Sequence, residues 1–180
     1  MDDKKKIRNK MLSVRENMKK RTVNSVSNNV CRMIMELDEY KNAETVFVYM
    51  AFRNEIALDT LINDCLEKNK KVYVPVIVGD KMFAADYSKD TCQGPFGTTE
   101  PVEKNIFEGT CDLSIIPSTA CDLLGGRLGF GAGYYDKYLE GRNTCKLAPI
   151  YDFQLIDELP LEPHDILMDI VVRPGGILRF

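Results

Sequence analysis

Histidine is almost missing from this chain: His164 stands alone among 180 residues. Cysteine occurs six times, at 31, 65, 92, 111, 121 and 145, yet no two are spaced as CxxC. Without paired soft ligands a zinc site is not expected. The thiols sit in apolar surroundings such as NDCLEK and PSTACDLL. They read as reduced, small hydrophobic side chains of a cytoplasmic protein. Long apolar runs are missing too. The longest is about eight residues, far short of the ~20 needed to cross a bilayer. The opening MDDKKKIRNK is charged and has no apolar segment of the secretory kind. An excess of positive charge is also lacking, with a net charge of -3 and a pI near 5.3. That excludes a broad nucleic-acid surface but leaves room for a local basic pocket. No repeat, low-complexity tract or linker divides the sequence, so one domain over 1–180 is expected. A domain of this size hides roughly 70% of its unfolded surface, enough for a real core.

Helical and extended patterns alternate. Ile7, Met11, Val14 and Met18 mark one face of a helix over 3–20. Val26, Val30, Met33 and Leu37 mark a second over 24–38, with Asn24 or Ser25 as its cap. Leu58, Leu61, Ile62, Cys65 and Leu66 mark a third over 58–69. TVFVYMA (45–51), KVYVPVIV (71–78), LSIIPS (113–118), KLAPIYD (146–152) and MDIVVRP (168–174) read as buried strands, and KMFAADY (81–87) as a weaker one. Apolar strands alternating with helices predict an α/β fold: a mostly parallel sheet with helices on both faces. The longest irregular stretch is 88–104, and PGGILRF at the end suggests no function.

The segment GGRLGFGAGYYD (125–136) packs five glycines into nine positions. Such a backbone is costly to order. It follows a strand and leads into a helix that stops at Gly141, which is where open α/β sheets bind ligands. Glycines let backbone N–H groups approach a phosphate, Arg127 adds a planar fork, and Asp136 offers a hard oxygen ligand for magnesium. The segment is neither GxxxxGK[ST] nor GxGxxG. A tight structural turn is the alternative reading.

GGRLGFGAGYYDKYL resembles the signature of the 5-formyltetrahydrofolate cyclo-ligase (methenyltetrahydrofolate synthetase) family, RLGxGxGYYDxxL. It matches at Arg127, Leu128, Gly129, Gly131, Gly133, Tyr134, Tyr135, Asp136 and Leu139. The resemblance runs along nearly the whole chain: KKKIRNKMLSVR with Lys4, Arg8 and Arg15, VYMAFRNEIALDTLI with Met50 and Glu55, FGTTEP, DLSIIPSTACD, and DFQLIDELPLEPHDILMDIVV with Gln154, Pro160 and Asp165. Ala132 departs from the family's usual Gly or Lys and removes a basic contact to phosphate. Phe130 and Cys121 also differ from the commonest choices.

The resemblance implies a three-layer α/β/α domain, Rossmann-like and of the sugar-isomerase/CoA-transferase kind. It implies ATP-dependent closure of 5-formyltetrahydrofolate to 5,10-methenyltetrahydrofolate, with ADP and phosphate released. The phosphoryl group passes to the formyl oxygen before N10 attacks. The implied ATP contacts are Lys4, Lys5, Lys6, Ile7, Arg8, Arg127, Leu128, Gly129, Phe130, Gly131, Ala132, Gly133, Tyr134 and Tyr135. Met50, Glu55, Phe130 and Tyr134 are implied to meet the folate. Asp136 and Asp165 hold Mg²⁺, and Arg127 and Tyr134 are catalytic. The implied partners are the reduced folate and ATP, with no nucleic acid and no membrane, and the state is a monomer. A non-catalytic folate- or nucleotide-binding protein on the same scaffold is the alternative. Taken without the resemblance, Lys4 and Arg8 are a solvated face and His164 a surface loop residue.

Overall fold

The computed structural model describes residues 2–180, with Asp2 described in its backbone alone. The helices are α1 (Asp2–Glu16), α2 (Lys20–Met35), α3 (Asp38–Asn42), α4 (Asp59–Glu67) and α5 (Tyr134–Leu139). The strands in chain order are β1 (Thr45–Val48), β2 (Lys71–Val78), β3 (Lys81–Asp86), β4 (Thr91–Gln93), β5 (Thr99–Pro101), β6 (Ile106–Phe107) and β7 (Leu113–Ile115). They continue with β8 (Ala120–Asp122), β9 (Arg127–Leu128), β10 (Cys145–Pro149), β11 (Leu155–Ile156), β12 (Ile170–Arg173) and β13 (Gly176–Arg179).

The main sheet runs β13-β12-β10-β7-β1-β2-β3-β6. Its centre, β12 through β2, is parallel. Strands β13 and β3 run antiparallel to their inner neighbours, and β6 runs antiparallel to β3. The fold is therefore α/β, a single domain with a sheet that is mostly parallel in the core. Parallel strands are covered on both sides, which is why Val46, Phe47 and Val48 are all fully buried. Val46 and Val48 face a core built with α2, α3 and α4. Phe47 faces the other way, stacking on Tyr138 of α5 with ring centroids 4.8 Å apart. The layers are unequal. On the second face α5 is short, and loops together with the small sheet β11-β8-β9 do much of the covering.

Several elements differ from the sequence pattern. The second helix begins at Lys20, not at 24, and its N-cap Lys19 makes no side-chain cap bond, so Asn24 and Ser25 lie inside it. Burial of Val23, Ser27, Val30, Cys31 and Ile34 on one side decides its extent. Helix α1 stops at Glu16 because Asn54 donates to the carbonyls of Arg15, Glu16 and Met18. The stretch 88–104 is not irregular. Strands β4 and β5 pair antiparallel and make an arm around a turn at Pro95–Gly97, where Phe96 has φ 62° and is 72% exposed. The C-terminal PGGILRF forms β13, an edge strand in register with β12.

The parallel strands place the site. From β1 the chain crosses through α4 to β2 on one side, whereas β7 pairs on the other. Strand order reverses between β1 and β7, whose last residues Val48 and Ile115 are in register. A crevice at such a switch point, beyond the carboxyl ends, is where open α/β sheets bind ligands.

Candidate functional site

A pocket of about 880 Å³ opens there, inside the range of roughly 300–1,000 Å³ typical of small-molecule sites. Tyr49 and Met50 after β1 and Pro117 after β7 line its base. The whole run Arg127–Lys137 forms one wall, α1 contributes Lys4 and Arg8, and Glu162–Ile166 closes one end. The arm brings Phe96, Thr98, Thr99 and Glu100 to the opposite side.

The glycine segment is held from behind. Asp122, 1% exposed, accepts bonds from the backbone N–H groups of Leu124, Gly126 and Leu159. One carboxylate thus fixes the turn between β8 and β9 and ties it to the 157–161 segment. A Cβ on Gly126 would lie 2.5 Å from Oδ2 of Asp122, so a side chain has no room there. Strand β9 then delivers Arg127 into the pocket. Its Nη2 donates to Asp136 Oδ1 at 2.7 Å, and the side chain is only 2% exposed. Its Nε is buried without a partner among the described residues. Gly131 and Gly133 have φ of 107° and 71°, a region L side chains rarely adopt. Arg8 docks on this loop, donating from Nε to Gly129 O at 2.8 Å. The helix that follows has six residues, so its dipole adds little. The loop's own N–H groups, with Arg8, Arg127 and Lys4 beside them, are the groups here that could bind an anion.

Lys4 donates to Asp165 Oδ2 at 2.6 Å and to Glu162 Oε2 at 3.0 Å. The site therefore contains two cation–carboxylate couples, Arg127 with Asp136 and Lys4 with Asp165. Burial raises the Asp165 carboxyl, but the bonds from Lys4 and from the Glu162 N–H outweigh it and leave the group below the usual carboxylate range. Asp136 and Asp165 each use only one oxygen in these bonds. The chemistry of the donor set, carboxylate oxygens beside an anion-binding loop, fits Mg²⁺. Glu162, His164 and Asp165 also lie close enough to share an ion. His164 is largely exposed, however, and imidazole suits softer metals.

At the base, Glu55 is 5% exposed and accepts from the Phe52 N–H at 2.9 Å. Burial pushes its carboxyl up to about 7, against the pull of Arg15. Aromatic rings frame the mouth: Phe52 lies 6.4 Å from Phe130, and Phe96 6.3 Å from Tyr134. Tyr135 turns inward, packing on Phe47 and under the Arg127 guanidinium. Burial drives its phenol well above the ordinary value.

The fold thus brings together on one pocket Lys4, Arg8, Met50, Glu55, the run from Arg127 to Asp136, and Asp165. It does not bring Lys5, Lys6 or Ile7 to the lining. At 100° per residue, Lys5 and Lys6 rotate away from the face that carries 4 and 8, and Ile7 packs against the small sheet. The sequence reading left out Phe52, Phe96, Glu100 and Glu162. Glu100 had a signal in the FGTTEP turn. It is buried, accepts from the Ile77 N–H and pairs with Lys104, pinning the arm to β2. Phe52, Phe96 and Glu162 carry no such local mark.

A profile of the 5-formyltetrahydrofolate cyclo-ligase family matches residues 1–174. The 5-formyltetrahydrofolate cyclo-ligase of Haemophilus influenzae is 30% identical over 178 residues, covering 92% of this chain and 95% of that protein. The Escherichia coli protein of the same name is 31% identical over 146 residues, 75% of this chain and 80% of its own. Among solved structures, the 5,10-methenyltetrahydrofolate synthetase of Aquifex aeolicus superposes with a TM-score of 0.87 at 31% identity. The match covers 98% of this chain and 92% of that one.

Proposed function

The chain belongs to the 5-formyltetrahydrofolate cyclo-ligase family, and on that premise we propose that its pocket closes 5-formyltetrahydrofolate to 5,10-methenyltetrahydrofolate with conversion of ATP to ADP and phosphate. One observation carries the reading. Two cation–carboxylate couples, a glycine-rich loop and a buried acceptor converge on a single pocket at the sheet's switch point.

The reaction sets a clear demand. The formyl oxygen is a weak nucleophile, so rate must come from alignment and from neutralising charge on the transferred phosphoryl group. Loop residues 129–133 present backbone N–H groups to the ATP phosphates, with Arg8 holding the loop from the α1 side. The buried Nε of Arg127, without a partner among the described residues, gives its fork a spare donor for a phosphoryl oxygen. Lys4 sits one turn from Arg8 and adds a second cation to the same anion. Asp136 and Asp165 would hold Mg²⁺, which when bound would supply further charge neutralisation. Glu55 accepts from the N–H donors of the pterin, while Met50, Phe130 and Tyr134 bound the ring. N10 of the same folate then displaces phosphate, so no protein nucleophile is needed. Among the described residues no cysteine lines the pocket. Every residue used comes from one chain, and a monomer suffices.

The test is direct. Purified protein with 5-formyltetrahydrofolate and Mg·ATP is expected to produce the absorbance of the methenyl product, with one ADP per product. Folded protein that binds both substrates and yields none overturns the reading in favour of a non-catalytic binder.

A further inference from the structure

Two of the buried side-chain atoms without a hydrogen-bond partner among the described residues face each other beneath the pocket: Arg15 Nη2 and Glu55 Oε1. Arg15 lies on α1, two turns beyond Arg8, and is 1% exposed. Its guanidinium is fixed by two carbonyls, donating from Nε to Arg53 O at 3.0 Å and from Nη1 to Ser118 O at 3.2 Å. Its third nitrogen points toward Glu55 Oε1 but stops 3.7 Å away, too far for a hydrogen bond. Glu55 is fixed in turn by the Phe52 N–H on Oε2. Two buried charges are therefore held by separate anchors at a distance that uses their attraction without closing it. A buried ion pair serving stability alone gains by closing fully, since each unsatisfied atom costs about 1–3 kcal/mol. Here the unpartnered atom of Glu55 belongs to a residue that lines the pocket.

We infer that Arg15 is a positioning residue for the folate end of the pocket, holding the Glu55 carboxylate in place with Oε1 left for an N–H donor of the substrate. The inference rests on the reading that Glu55 meets the folate. The groups facing Glu55 are Arg15 from α1, Tyr49 after β1, Tyr135 of α5 and Tyr151 after β10, with Arg53 beside it on its own loop. Arg15 is the cation among them that approaches the carboxylate. Arg53 turns outward to Glu16. Burial pushes the Glu55 carboxyl up, and it is opposed first by the charge of Arg15 and then by the bond from the Phe52 N–H. Without that charge, protonated Glu55 offers its free oxygen a proton instead of a lone pair, and the substrate's donor loses its acceptor.

The experiment compares Arg15→Gln and Arg15→Lys with the unaltered protein, reading the affinity for 5-formyltetrahydrofolate without ATP, and kcat/KM with ATP, between pH 6 and 9. Gln keeps a donor at the Nε position for the Arg53 carbonyl and loses the charge; Lys keeps the charge and loses the fork. The Gln variant is expected to move the acid limb of both profiles to higher pH. It loses roughly tenfold at pH 7, a deficit that shrinks as pH rises. The Lys variant is expected to keep the limb in its original place. Identical limbs in all three proteins, or equal displacement in both variants, overturn the inference. If the Gln variant does not fold, Glu55→Gln reads the same relationship with Arg15 intact. Its acid limb must vanish, and a persisting limb overturns the inference. Absent turnover in the unaltered protein, with the displaced affinity profile present, rejects the proposed reaction and leaves the role of Arg15 standing. Absence of folate binding rejects both.

Discussion

Arg127 and Asp136, nine residues apart in sequence, meet across the glycine loop with Nη2 and Oδ1 2.7 Å apart. The residue read as the phosphate clamp and the residue read as a metal ligand neutralise each other. The loop between them is held closed at its two ends by this bond.

Arg127→Lys is expected to behave as a severe change. An ammonium lacks the fork needed to reach both the Pro117 carbonyl and Asp136, and the half-buried Asp136 partner is left loose. Turnover should fall by about 100-fold, and stability by about 3 kcal/mol if the pair is broken outright by Arg127→Met. Urea unfolding and the methenyl assay measure the two effects. A Lys variant within threefold of the original rate contradicts the assignment.

Lys4→Met removes a cation from the far end of the pocket while leaving the loop intact. Its ATP KM is expected to rise about tenfold and its folate KM little, because Lys4 contacts the Glu162–Asp165 segment and not the base. Steady-state kinetics with each substrate varied in turn separates the outcomes.

Two glycines make an internal control. Gly141 has φ 70° and open space around its missing Cβ, whereas Gly126 would drive a Cβ onto the pinned Asp122 carboxylate. Gly141→Ala should cost about 1 kcal/mol through backbone strain alone. Gly126→Ala should cost more than twice that and also displace Arg127. Denaturant midpoints at constant slope decide the ranking.

Glu55 gives a pH dependence of stability. Its carboxyl titrates near 7 in the folded protein against 4.5 unfolded. Between those values the folded chain holds a proton that the unfolded chain has lost, so stability declines as pH rises through that window. The cost approaches an upper bound of about 3 kcal/mol above it. Glu55→Gln is therefore expected to be more stable than the original at pH 8, to lose that advantage near pH 4, and to bind folate poorly. Melting curves at the two pH values test the sign. A variant less stable at pH 8 refutes it.

Much of this was legible in the one-dimensional chain because its periodicities are local. Strand β2 occupies the run KVYVPVIV residue for residue, and the spacing of Lys4 and Arg8 predicts a shared helical face. The glycine density at 125–133 announced a backbone that must come close to something. Sequence failed where the deciding contact is remote. Arg15 is one cation among many in α1, and its burial depends on carbonyls at 53 and 118. Nothing near Phe96 foretells that the arm carries it to Tyr134.

The sequence by itself determined the α/β class and the glycine loop, because hydrophobic period and backbone freedom are properties of neighbouring residues, and its matched motifs carried the family. Only the tertiary structure decided that Arg127 rests on Asp136 and Lys4 on Asp165. It also decided that Lys5, Lys6 and Ile7 turn off the pocket. Buried charges choose partners by distance and desolvation, and both are set by where the sheet's switch point brings distant segments together.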